Sequence, residues 1–223
     1  MIRRALQSDS DQISSISRTA GYMDYISENV LDFIGNNDVF LYEDEGKILG
    51  FTYLNRSGTF RFYMGGMRVR NEYRRLGIAT QLMKFCENVA VENGAKFIGC
   101  LVEENNLKSR NLVEKMNYRN MGKFVSIGGM PLIGNEVHEY SPKSDFYYIR
   151  DWEVIHSSDS TGYLVQSDND GNIMCLSGEW ITFIKTINLP EYRASNDFFF
   201  VNDSSLNPPP ESMIFINFQK NIS

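Results

Sequence analysis

Apolar positions change period several times along the first 140 residues. "IRRAL" reads as a short strand. In "SDSDQISSISRTA", Ser and Asp stand ahead of Ile13 and Ile16, which predicts a capped helix start. "GYMDYISENVLDFIG" turns helical in its second half, with Val30, Leu31 and Ile34 on one side and Gly35 as the stop. "VFLYEDEGKILGFTYL" predicts a hairpin around Glu45-Gly46. "NRSG" turns the chain again, and "TFRFYMGGMRV" makes a third strand. Residues 78 to 93 carry Ile78, Leu82, Phe85, Val89 and Ala90 at helical spacing, closed by Gly94. "AKFIGCLV" is a continuous apolar run, as in a strand buried on both faces. "NNLKSRNLVEKM" predicts a shorter helix and "FVSIGGMPLIG" a further strand. The order β-α-α-β-β-β-α-β-α-β is an α/β mixture with a sheet of mixed direction.

After about residue 140 the pattern shifts to Ser, Asp, Gly and aromatics, with β-type runs around Pro208–Pro210. This predicts two domains: 1–140, α/β, and 141–223, smaller and mainly β. The triple proline marks a loop or a bounded edge.

Composition adds exclusions. At 42% hydrophobic and 22% charged the chain is globular in type rather than disordered. A net charge of −6 argues against a general nucleic-acid binder. Arg68, Arg70, Arg74 and Arg75 are therefore a local basic patch on an acidic protein, suited to a small anion. Cys86, Cys100 and Cys175 form no CxxC pair, and with only His138 and His156 beside them no zinc spacing exists. Free buried thiols in a reducing cytoplasm are the expectation. No apolar run approaches the roughly 18–20 residues of a membrane span, and the N-terminus turns polar too early for a signal peptide.

The chemistry concentrates in "MGGMRVRNEYRRLGIATQLM", residues 64–83. Gly65 and Gly66 sit inside a strand pattern, where glycine costs stability. A β-bulge that frees backbone amides for a ligand would justify them, and so would a flexible strand end. In "RRLGIA" a helix beginning near Ile78 leaves its first amides without internal partners, where a phosphate is a natural occupant. Gly77 permits close approach, Ala79 keeps the first turn open, and Arg74 and Arg75 supply charge. The stretch is neither a Walker loop nor a dinucleotide GxGxxG. An exposed basic helix cap with no ligand is the plain alternative.

These residues resemble the acyl-CoA signature of the GNAT superfamily of N-acetyltransferases: Gln or Arg, two residues, Gly, one residue, Gly or Ala. Arg74, Gly77 and Ala79 fill it, with Asn71 where proline is common. A second block, "VEENNLKSRNLVEKMNY", is similar to the family's strand end and following helix. Asn106, Ser109, Leu112, Lys115 and Tyr118 fall in place, with Asn117 where glycine is usual. The resemblance covers about residues 1–135. It implies a GNAT-like mixed sheet flanked by helices and acetyl-CoA as cofactor. The pantetheine arm would pair with Met67, Arg68 and Val69. The pyrophosphate would rest on Arg74, Arg75, Leu76, Gly77, Ile78, Ala79 and Thr80. Asn106 and Ser109 would lie near the pantetheine or the sulfur.

Direct transfer of an acyl group to an amine needs a neutral amine, a donor for the developing oxyanion and a proton for the leaving thiolate. A backbone amide near Met67 suits the oxyanion, and positioning removes the need for an enzyme nucleophile. Cys100, in an apolar strand, is read as a core thiol. Two departures from the family stand out. Val113 occupies the position of a common tyrosine acid, and Leu101 that of a glutamate found in some members. Glu103 shares the side of Leu101 by alternation and is the substitute base, directly or through water, with Glu104 second. Both read equally well as solvated loop carboxylates. Tyr118 is the candidate proton donor, or a core aromatic. In this family the segment before the hairpin walls the acceptor site. There Tyr22, Asp24 and Tyr25 suit a cationic or amino-acid substrate, or form an ordinary helix-entry loop. With "IRDWEV" in the tail, the chain resembles members that acetylate free amino acids such as histidine.

The expectation is an acetyl-CoA-dependent N-acetyltransferase for a small-molecule amine or amino acid, cytoplasmic, with no nucleic-acid, membrane or metal partner. Acetylation of a protein N-terminus or lysine, and a non-catalytic acyl-CoA sensor, are the competing readings. The tail would complete the acceptor pocket, pair two chains as a homodimer, or only stabilise the catalytic unit.

Overall fold

A computed structural model of the chain describes residues 1–19, 25–133, 136–150, 153–159, 162–186, 192–202 and 208–222, apart from the side chains of 194–198. The chain divides into two units. The first takes Met1–Arg56, Phe60–Ile98 and Asn221–Ser223, and the second Ser57–Thr59 and Gly99–Lys220.

In the first unit, β1 (Ile2–Arg4) is followed by a 3-10 turn and three helices: α1 (Ser10–Arg18), α2 (Tyr25–Glu28) and α3 (Val30–Asn36). Then come β2 (Val39–Asp44), β3 (Lys47–Arg56), β4 (Arg61–Val69) and α4 (Ile78–Glu92). The strands pair antiparallel in the order β1-β2-β3-β4. The β2–β3 turn is the predicted one. Glu45 (φ 47°) and Gly46 (φ 78°) are both left-handed, giving the primed geometry whose twist matches a hairpin. α4 lays Ile78 and Leu82 against Leu49 of β3, with Met67 and Val69 of β4 alongside. Each such buried aliphatic side chain contributes about 2 kcal/mol.

Three local expectations need correction. Asp9 precedes α1, but its carboxylate makes no helix cap. It takes a bidentate bond from Arg3 (2.8 and 2.8 Å) and the Leu6 N–H (2.7 Å), which tie the helix start to β1. Gly35 does not stop α3, which runs through Asn36. Asn37 caps it, with Nδ2 donating to the Phe33 carbonyl at 2.8 Å. The side α3 buries is that of Phe33, edge-on to Phe51 (6.0 Å) and Tyr53 (5.9 Å), while Leu31 stays exposed. A break at Asn29 separates α2 from α3 and resets the helical phase. In α4 the buried stripe is Ile78, Leu82, Met83, Cys86 and Ala90, with Phe85 and Val89 at its margin. Gly94 (φ 79°) follows the helix end as predicted.

β5 (Phe97–Glu103) begins in the first unit and ends in the second. The second unit continues with α5 (Leu107–Lys115), β6 (Arg119–Pro131), β7 (Val137–Glu139), β8 (Tyr147–Arg150) and β9 (Glu153–His156). β10 (Leu164–Asp168), β11 (Ile173–Ser177), β12 (Trp180–Lys185), β13 (Tyr192–Val201) and β14 (Met213–Asn221) complete it. Its strand order is β5-β14-β6-β13-β12-β11-β10-β7, with β8–β9 a separate hairpin. β12 and β13 run parallel, so the sheet is mixed. Val125, Ile127, Met174, Phe183, Phe199 and Val201 form one apolar cluster. Tyr148, Ile155 and Cys175 form another under the hairpin. The fold is therefore α/β, a mixed sheet flanked by helices with additional C-terminal strands. Pro208–Pro210 lie in the turn ahead of β14, where the Pro209 carbonyl accepts from Ser212 N–H (3.0 Å).

Candidate active site

The glycine pair makes a bulge. Phe51 lies opposite Arg68 and Tyr53 opposite Gly65, so β4 carries one residue more than β3 across this span. Gly66, at φ 61°, takes the left-handed conformation the bulge requires. Gly65 answers a different need: a Cβ there would lie 2.4 Å from Tyr53 Oη and 2.5 Å from Cζ. The Tyr53 ring thus lies in the space that two side chains would fill. Beyond the bulge, Arg70 N–H returns to the Leu49 carbonyl (2.9 Å). By strand alternation the backbone of Val69 then faces away from β3. Its carbonyl accepts from Arg74 Nε at 3.2 Å, and that of Met67 from Arg68 Nη1 at 3.1 Å.

The loop into α4 is braced by its own polar groups. Arg70 Nε donates to the Ile48 carbonyl (2.7 Å), and Asn71 Nδ2 to that of Thr19 (3.4 Å). Lys47 binds Tyr73 Oη (3.2 Å) and pairs with Glu72 (3.8 Å). Three of the four arginines therefore spend donors on main-chain carbonyls. Arg75 is exposed, and among the described residues it has no bonding partner. Arg75 (φ 65°) and Gly77 (φ 80°) are both left-handed, which turns the chain sharply into the helix. The first intrahelical bond runs from Gln81 N–H to the Gly77 carbonyl (3.0 Å), and no side chain caps the end. The amides of Ile78, Ala79 and Thr80 therefore have no helical partner, at the positive end of a 15-residue helix. A Cβ on Gly77 would meet nothing within 4 Å. Open space, bare amides and an uncommitted guanidinium fit a diphosphate, the group that acetyl-CoA would present here.

The second unit holds the acid–base candidates. Glu103 ends β5 half-buried. The Glu104 carboxylate is engaged by Lys123, and its carbonyl accepts from Arg110 Nη1 at 3.1 Å. Asn106 caps α5, its Oδ1 accepting from Ser109 N–H at 3.1 Å, so the sequence block that points to a ligand also builds its own helix start. Val113 is buried, as is Tyr118, whose ring has Lys220 Nζ 5.7 Å from its centroid. Tyr22 and Asp24 lie outside the described residues. Tyr25 opens α2 and is exposed.

Cys86, Cys100 and Cys175 are free and buried, as expected. Burial pushes each thiol up to about 12, helped by Glu87 at Cys86 and opposed by Arg150 at Cys175. None is a ready nucleophile at neutral pH. Tyr53 escaped the sequence reading. Its signal was the register: pairing "FTYLN" with "MGGMR" sets an aromatic opposite glycine, a recognised strand partnership.

Among the described residues no helix is long and apolar enough to cross a membrane. No curated protein sequence matches the chain. Solved structures do. A candidate acetyltransferase from Thermoplasma acidophilum is 17% identical with a TM-score of 0.70, covering 99% of both chains. An N-acetyltransferase from Staphylococcus aureus Mu50 is 21% identical (TM-score 0.50), covering 58% of this chain and 89% of that one. Ard1 from Thermoplasma volcanium is 18% identical (TM-score 0.52), covering 55% and 84%. At these identities the likeness is one of fold. The Acetyltransferase (GNAT) family model matches residues 5–118, just over half of the 223. With the bulged strand and the bare helix end inside that span, the chain belongs to the GNAT family of acetyltransferases, whose acyl donor is acetyl-CoA.

Proposed function

We propose that this chain moves an acetyl group from acetyl-CoA to a primary amine of a small molecule or amino acid, by direct attack. The observation that carries the reading is the anion cradle: the Ile78, Ala79 and Thr80 amides at a helix end kept open by Gly77. The diphosphate binds there, with Arg75 as its exposed cation and the Leu76 and Arg74 backbone at its side. Outward backbone at Met67 and Val69 pairs with the pantetheine arm, and the Met67 amide steadies charge on the acyl oxygen. The bound donor supplies an activated thioester. Glu103 takes the proton from the amine, directly or through water, and Tyr118 returns one to the departing thiolate. Asn106 and Ser109 hold the arm near the sulfur. Tyr22, Asp24 and Tyr25 contribute to the acceptor wall.

A panel of amines and amino acids, read by released thiol, tests this. Slow hydrolysis of acetyl-CoA should accelerate when a suitable amine is added. Tight binding of CoA with no turnover across the panel would replace the enzyme by an acyl-CoA sensor. Glu103→Gln should lower kcat about 100-fold while leaving the KM for acetyl-CoA in place. Tyr118→Phe should lower kcat while leaving the KM for acetyl-CoA in place.

A further inference from the structure

Asn217, in the middle of β14, is 1% exposed. Neither its Oδ1 nor its Nδ2 has a hydrogen-bond partner among the described residues. A buried carboxamide in this state has given up water and gained nothing, and folded proteins keep few such groups. Its position is also irregular. Ile216 lies opposite Lys123 and Phe218 opposite Asn120, so Asn217 faces a bulge in β6. At that bulge Gly122 (φ 128°) would offer a Cβ no neighbour within 4 Å. Bulges of this kind re-aim side chains beside functional sites.

The other neighbour is β5. Glu104 N–H donates to the Ile214 carbonyl at 2.7 Å. A Cβ on Gly99 would lie 3.4 Å from Gln219 Cγ. Between these two antiparallel anchors the register sets Leu101 opposite Asn217 and Glu103 opposite Phe215. Alternation turns Leu101, Glu103 and Asn217 to one face, with the last two as diagonal neighbours about 7–8 Å apart. Leu101 cannot hold an amine, and Asn217 is the polar group opposite it.

We propose that Asn217 is the recognition residue for the acceptor, a role that rests on the acyl-transfer reading above. Its Oδ1 accepts an N–H of the acceptor, and its Nδ2 donates to an oxygen a few bonds away. An α-amino acid or its amide presents both groups together, and a simple alkylamine presents one. Binding displaces the side chains that cover Asn217, and the carboxamide makes in the complex the bonds it lacks in the free chain.

The test compares the wild type with Asn217→Leu, which keeps the volume and removes the polar atoms. We expect an unchanged or raised Tm, because an unsatisfied group has gone. The KM for the preferred amino-acid acceptor should rise about 10- to 100-fold while that for acetyl-CoA stays within about twofold. Should the variant fail to fold, the Asn217 side-chain amide signals of the ¹⁵N-labelled wild type give the second readout. They should move on adding that amino acid and stay in place with an alkylamine. An unchanged acceptor KM, an equal rise in both KM values, or unmoved signals would overturn the assignment. A wild type that acetylates nothing in the panel would instead remove the acyl-transfer reading, and this inference with it.

Discussion

Replacing Gly77 separates two roles that one glycine fills. At φ 80° an alanine is strained by about 1 kcal/mol, and because nothing lies within 4 Å of the new methyl no clash adds to it. For a chain of 223 residues that is a fall in Tm of roughly 2–4 °C. Asparagine tolerates the left-handed region, so Gly77→Asn should recover most of this loss while filling more of the open space. Affinity for CoA should move the other way. A side chain at this helix start keeps the diphosphate from one or two amides. Each lost charge-assisted bond is worth about 1.5–3 kcal/mol, so Kd should rise about 10-fold for one weak bond and up to about 10,000-fold for two strong ones, and more for asparagine than for alanine. Calorimetric titration with CoA measures this. An acetyl thioester truncated before the diphosphate is the control, and its KM should be indifferent to both variants. A Kd for CoA within twofold of wild type in Gly77→Asn, or an equal penalty on the truncated donor, would refute the cradle.

Other tests address the scaffold. Gly65→Ala places a methyl 2.4 Å from Tyr53 Oη and should cost about 1–3 kcal/mol in urea unfolding. Most of that cost should vanish in a Tyr53→Ala background, and additive losses would mean that the ring does not require the glycine. Asp9 is held below the usual carboxylate range, first by the Arg3 hydrogen bonds and then by the Leu6 N–H, against an opposing burial cost. Its stabilisation is thus complete above the unfolded value of about 4 and is lost as pH falls through the depressed folded value. Asp9→Asn should cost about 2 kcal/mol at pH 7, and its stability should change less than the wild type's below pH 4. Parallel acid profiles for the two proteins would contradict this. With burial holding the three thiols near 12, a disulfide reagent at pH 8 should label none in the native chain and three after denaturation. Fast labelling of native protein would show the thiols accessible.

The parts of the fold legible in sequence were those set by neighbouring residues. Glu45-Gly46 specifies its turn through two adjacent left-handed residues. Gly65-Gly66 announced the bulge, because glycine inside a strand needs a reason. Gly94 closed α4 for a similar one. What escaped depended on residues far apart. The buried side of α3 followed from a break at Asn29 and from the Phe51 and Tyr53 rings that receive Phe33. Asp9 resembled a cap by type, yet Arg3 on β1 outcompeted the helix amides for its oxygens. Asn217 sat unremarked in an apolar run. Only the pairing of β14 with β5 and β6 brings it beside Leu101.

That pairing carries a temporal consequence. β6 is bordered by β13 and β14, both made more than 60 residues after it. A nascent chain that has just finished its cofactor loop still lacks the two ribbons that seal β6. Until β13 and β14 have been made, β6 stands with raw hydrogen-bonding edges, and any premature stop before residue 213 should leave a sticky product for proteases rather than a smaller working acetyltransferase.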